Sequence, residues 1–309
     1  MTFTGRGLYA SSSKVPRPRR GRRLGWLAIG LVVAVVVLII GATKAISSVP
    51  LSKEPRSDAF AGVRLLSLEN QTFGDVTVVG TDGDELTVDR TLDGSPLADP
   101  DDEIEQESGA LEVEGQCQGP PFGGDCRIDY EIGVPAGTDL EIETVAGDVE
   151  ISGVEGDISV ETFAGAIRLD GVDGSVDVET RTGSISAEGS GDSIAAQSTA
   201  GSIDLAGFDA RTMEVETTAG RVDIEGAFDT AEVESTVGSV DVRATERFDL
   251  LEVESTAGSV DLRVPDGAYQ VSGESVAGSR TVEVPTDAGA SAVIDASTTA
   301  GSLAVRHGD

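Results

Sequence analysis

The sequence predicts an all-β chain: a parallel, right-handed β-solenoid of about 18–20 residues per coil, preceded by a single N-terminal transmembrane helix. Three observations predict it. A glycine recurs at a nearly constant step through the C-terminal half, apolar and polar residues alternate on either side of it, and one uncharged stretch near the N-terminus has the length of a bilayer core.

Residues 1–23 carry seven Arg and Lys and no acid, so they read as a basic cytoplasmic tail. Leu24 to Thr43 is a run of 20 residues without a charge. As a helix it spans about 30 Å, one hydrocarbon core. Arg17, Arg19, Arg20, Arg22 and Arg23 precede it, and the positive-inside rule puts the N-terminus in the cytoplasm and the C-terminal part outside. The competing reading, a cleaved signal peptide, fits less well. The apolar run exceeds the usual ~7–15 residues, and Thr43-Lys44-Ala45 is a poor cleavage site. Residues 44–57 form a linker.

Residues 58–138 hold strand-like runs without the regular step and read as an irregular β cap. QTFGDVTV around Gly74 looks like a degenerate copy of the repeat, with the alternation before it off by one, and DGSPLADPDDEIEQESG reads as a surface loop. Cys117 and Cys126 are the only cysteines, and both fall on the oxidising side of the membrane. They flank QGPPFGGD between two strand-like runs, so a disulfide stapling a long hairpin loop is expected.

From residue 139 to 309 the repeat takes over. Its turn glycines are Gly147, Gly165, Gly183, Gly201, Gly220, Gly238, Gly258, Gly278 and Gly301, at steps of 18, 18, 18, 19, 18, 20, 20 and 23. Three residues before each stands a hydroxyl: Thr144, Thr162, Thr180, Ser198, Thr217, Ser235, Ser255, Ser275 and Thr298. Positions five and seven before the glycine and two and four after it are mostly apolar, as in Val176, Val178, Val240 and Val242. Period-two alternation means two half-buried strands per repeat. Such a pair cannot bury its apolar face alone, so the repeats must stack. The glycines are expected to adopt positive φ, and the hydroxyls to point inward and bond between coils.

The net charge is −33, and with seven cations ahead of Leu24 the remainder carries −40, which excludes nucleic acid as a partner. Four before the turn glycine stand Glu143, Glu161, Glu179, Glu216, Glu234, Glu254 and Glu274, with Gln197 and Ser297 in the other coils. Stacked in sequence order they form an outward column with neighbours about 5 Å apart, where like charges in water cost about 0.8 kcal/mol per pair before screening. A solvated acidic face tolerates that. The sharper reading is a weak Ca²⁺ face, although a flat column does not assemble the six to eight oxygens that tight binding needs.

Phe208, Phe228 and Phe248 recur at the looser corner and read as an interior stack rather than a sugar platform. Arg168, Arg181, Arg221, Arg243 and Arg263 read as outward charge compensation. His307, the only histidine, reads as a solvated tail residue. With no Lys in the array and no other His, nothing points to acid–base catalysis, to a catalytic residue or to a cofactor.

The stretch ETVAGDVEISGVEGDISVETFAGAIRLDGVDGSVDVET, opened by DLEIETVAG and preceded by a hydrophobic anchor, resembles the bacterial putative-adhesin family of β-strand-repeat proteins, a domain of unknown function. The resemblance covers roughly residues 60–305. It implies a surface-exposed β-solenoid and brings no catalytic residues with it. The function expected is therefore a membrane-anchored, non-enzymatic surface protein that binds another surface protein or a glycan. The alternatives are a polysaccharide-acting β-helix enzyme and a sensor or scaffold subunit whose basic tail meets a cytoplasmic partner.

Overall fold

Alternating Val, Ile and Leu with charged or small residues gives each strand one dry and one wet face, and the computed structural model shows what the dry faces do. It describes residues 51–52, 55–95, 97–119 and 126–308. The tail at 1–23, the helix expected at 24–43 and most of the linker lie outside these, and no helix among the described residues is long and apolar enough to cross a membrane. The described residues contain strands and no helix.

Each repeat is a coil with an approach strand, a glycine turn and an exit strand. Approach strands pair in parallel register with approach strands, exit strands with exit strands. Ile158 lies beside both Leu140 and Val176, and Ile167 beside Val149 and Ile185. The result is one long, mostly parallel sheet folded into two faces. Inward residues such as Val160, Val178, Ile203, Val233, Leu251 and Val260 meet between the faces in a continuous core.

The ends of the stack depart from sequence order. Leu65–Asn70 and Val76–Thr81 form a true coil, with Leu66 and Leu68 beside Leu140 and Ile142, and Val76 and Val78 beside Val149 and Ile151. Residues 65–81 are therefore part of the solenoid and not an irregular cap. Outside them lies a further coil, Ala110–Gln118 and Arg127–Pro135, which comes later in the chain. Antiparallel strands close this end: Asp99–Glu107 on Ala110–Gln118, Glu85–Gly94 on Arg127–Pro135, and Arg56–Ala61 on Glu85–Gly94. The acidic stretch expected as a loop thus supplies the strand Asp99–Glu107.

At the other end the same inversion recurs. Val293–Ala300 and Leu303–His307 insert between the Gly258 coil and the Gly278 coil. Gly278, not Gly301, marks the last coil. His307 accordingly sits in a strand, beside Val264 and with Nδ1 3.3 Å from Asp266, rather than in a solvated tail.

Cys117 and Cys126 are joined by a disulfide, with Cα atoms 6.2 Å apart. Cys117 lies in Ala110–Gln118 and Cys126 just precedes Arg127–Pro135. These strands pair with different strands of the neighbouring coil and not with each other, so the bridge does not staple a hairpin.

Candidate functional site

The turn interior comes first, because it sets what each outward column can be. A Cβ added at Gly201 would collide with the carbonyl oxygen of Gly183, and equivalent glycines meet the same obstacle from coil to coil. Close approach, more than positive φ, reserves these positions for glycine. Only Gly147, Gly238, Gly258 and Gly301 of the nine have φ in the left-handed range. In four coils the inward hydroxyl donates to that neighbouring carbonyl: Thr180 Oγ1 to Gly165 O at 3.3 Å, Ser198 Oγ to Gly183 O at 3.3 Å, Ser275 Oγ to Gly301 O at 2.8 Å and Thr298 Oγ1 to Gly258 O at 3.4 Å. The hydroxyls of Thr144, Thr162, Thr217, Ser235 and Ser255 point inward without a hydrogen-bond partner. In the first coil, Asn70 and Thr72 replace the single hydroxyl. Asn70 Nδ2 donates to Gly74 O at 3.3 Å and Thr72 Oγ1 accepts from Ile128 N at 3.0 Å. This turn is one residue longer, which accounts for the shifted alternation.

Phe208, Phe228, Phe248 and Tyr269 are buried at the corner, with centroids 5.4 Å apart for Phe228–Phe248 and 5.6 Å for Phe248–Tyr269. They fill the interior. The corner also carries a concavity of about 260 Å³ lined by Asp209, Arg211, Asp229, Glu246 and Arg247. Asp209 accepts from Ala227 N at 2.7 Å and Arg211 is ion-paired to Asp192, so both are committed to holding the coil.

The two outward faces differ in charge chemistry. On the exit face most arginines find acids: Arg168–Asp148 at 3.5 Å, Arg221–Asp241 at 3.2 Å, Arg263–Asp261 at 3.3 Å and Arg306–Asp261 at 3.1 Å. Asp223 in this face has its carboxyl pushed up, first by partial burial and then by Asp241 and Asp204.

The approach face holds the glutamate column. Glu143, Glu161 and Glu179 are register neighbours, Gln197 interrupts, and Glu216, Glu234 and Glu254 follow. Ser297 separates Glu254 from Glu274, because the last coils are inverted. Glu69 and Glu114 extend the column at the other end, and sequence steps alone could not reveal them. Glu234 has its carboxyl pushed up by partial desolvation and then by Glu216, Glu232 and Glu254.

Two residues closer to the turn runs a second outward column: Val145, Phe163, Arg181, Thr199, Thr218, Thr236, Thr256, Thr299 and Val276, in stacking order. Among the described residues Arg181 is the only cation in these two columns. It makes no direct ion pair with the glutamates; its guanidinium lies over the Phe163 ring at 5.4 Å. Together with Glu69, Gln71, Glu143, Val145, Glu161 and Phe163, Arg181 lines a concavity of about 230 Å³. Among the described residues no cluster of three or more metal-ligating side chains is found.

This architecture, with its glycine and hydroxyl ladders, matches a known family across residues 64–306. The chain belongs to the Toastrack DUF4097 family. Among solved structures, the Toastrack chain is similar to a putative lipid binding protein from Parabacteroides distasonis, 14% identical with a TM-score of 0.51, over 84% of this chain and 97% of that one. A putative adhesin from Bacteroides fragilis is 13% identical with a TM-score of 0.47, over 85% and 98% of the two chains. One from Parabacteroides merdae is 12% identical with a TM-score of 0.49, over 82% and 95%. At such identities the likeness to the Parabacteroides distasonis protein is one of fold. No curated protein matches this Toastrack chain.

Proposed function

We propose that this chain is a membrane-anchored, extracytoplasmic, non-enzymatic solenoid whose approach face binds a partner at the cell surface. Residues 24–43 hold it in the membrane, with the basic tail inside. The observation that carries the reading is the asymmetry of the two faces. Arginines of the exit face reach acids within ion-pair distance. Among the described residues the glutamate column of the approach face makes no ion pair along its length and has only Arg181 beside it. An extended single-sign surface raises the encounter rate with an oppositely charged partner and repels like-charged ones.

A photo-crosslinking residue at Thr218, on the approach face, should capture a specific partner on intact cells. The same residue at Ser186, on the exit face, should not. Protease added to wall-stripped cells should remove the solenoid and leave the tail protected. Equal capture from both faces, or digestion of the tail, would overturn the proposal.

A further inference from the structure

We infer that the concavity at Val145 and Phe163 is a docking site for a protein segment that carries a cationic side chain next to an apolar one. The inference rests on reading the approach face as an interaction surface, and gives that surface a partner chemistry. The fold does not require apolar residues here. Five other coils fill the same outward column with threonine, at Thr199, Thr218, Thr236, Thr256 and Thr299. Yet Val145 is 47% and Phe163 56% exposed, side by side on consecutive coils. Val237 and Val276 are exposed singly elsewhere on this face, but here two large apolar side chains lie adjacent in water, and such adjacency marks a contact surface.

The rim specifies the charge. Glu143 and Glu161 make no ion pair or hydrogen bond of their own, and Glu69 accepts from Gln71 Nε2 at 2.7 Å. Three carboxylates face one guanidinium, Arg181, around this concavity, so a partner that covers Phe163 and draws them out of bulk water is favoured when it supplies further positive charge. Arg181 shows that the ring accepts a guanidinium on one side, a cation–π contact. An uncharged glycan would leave the carboxylates with Arg181 alone, and an anionic polymer would be repelled.

The test uses the full chain in a non-ionic detergent with capped, fluorescent peptides. Arg-Leu-Lys-Leu-Arg supplies charge and apolar side chains, Arg-Ser-Lys-Ser-Arg charge alone, and Glu-Leu-Gln-Leu-Glu apolar side chains alone. The first should bind about tenfold more tightly than the second, and the third not at all. The double variant V145T/F163T installs the residue that the neighbouring coils already use, so it should fold and melt like the parent. It should erase the leucine preference and leave binding of the serine peptide unchanged, whereas E143Q/E161Q should weaken both cationic peptides. A leucine preference that survives V145T/F163T overturns the inference, as does wild-type protein that binds both cationic peptides alike. So does displacement of the leucine peptide by a neutral chitin oligomer. If the peptides fail while Thr218 still captures a partner on cells, the docking site is wrong and the approach-face reading stands.

Discussion

Gly301 stacks directly on Gly258, and Gly278 lies outside both: a Cβ on Gly301 would strike the Gly258 carbonyl, and one on Gly278 the Gly301 carbonyl. The last segment of the chain is therefore an interior coil, and the one before it is the end of the stack.

Deleting residues 293–309 should accordingly cost two coils. Gln270–Ser272, Ser275–Ala277 and Arg280–Val282 pair only with the deleted strands. Hydrogen exchange should show full loss of protection across 270–282. Protection retained there would mean that this coil can dock on the Gly258 coil by itself.

Gly201→Ala should destabilise by about 3 kcal/mol, since the added methyl overpacks a site held by coils on both sides. Gly278→Ala should cost only about 1 kcal/mol, because an end coil can shift outward. Gly301→Ala should resemble Gly201→Ala, and thermal or denaturant melts of the three variants decide the order.

The raised carboxyl of Glu234 gives a pH dependence of defined sign. A folded-state value above the ordinary 4.5 adds stability that is present below pH 4.5 and lost as pH rises through the raised value. Glu234→Gln should flatten that fall and raise stability by a few tenths of a kcal/mol at neutral pH and low salt. In 1 M salt the difference should vanish. Melts across pH at both salt levels check it.

At the capped end, Arg90 sits 2.5 Å from Asp102 and 2.7 Å from Asp58, with the Arg90 and Asp102 side chains only 8% and 2% exposed. Asp102→Ala should cost about 2 kcal/mol, because it removes the buried carboxylate and leaves Arg90 with the half-exposed Asp58 alone. Beside them the Tyr130 hydroxyl is buried without a hydrogen-bond partner, and burial followed by the charge of Asp102 drives its ionisation well above the usual range. Tyr130→Phe should therefore be neutral within about 0.5 kcal/mol. Denaturant midpoints of the two variants measure this contrast.

Coil length, strand alternation, inward hydroxyls and the corner aromatics were legible because each is a local pattern repeated in phase. Stacking order was not. The Gly278 and Gly301 coils carry the same alternation, and period-two matching lets either one sit on the Gly258 coil. The Gly74 coil was obscured by its longer turn and by the strands that separate it from its outer neighbour. Asp102 was hidden in a stretch whose acidity reads as solvated, although one of its acids is neutralised by Arg90. Phe163 stood within the quoted repeat, but its significance depends on knowing that its column is otherwise threonine from Thr199 to Thr299.

Because both ends are built from out-of-order coils, they act as bookends. A whole coil can be added or lost only among the sequential ones between Gly147 and Gly258, where each turn meets an identical turn on either side. Each such change alters the length of the coil stack by about 4.8 Å, one strand spacing. It leaves the Arg90 cluster and the Gly278 edge untouched. The length of the stack can thus be set by counting coils, without redesign of either end.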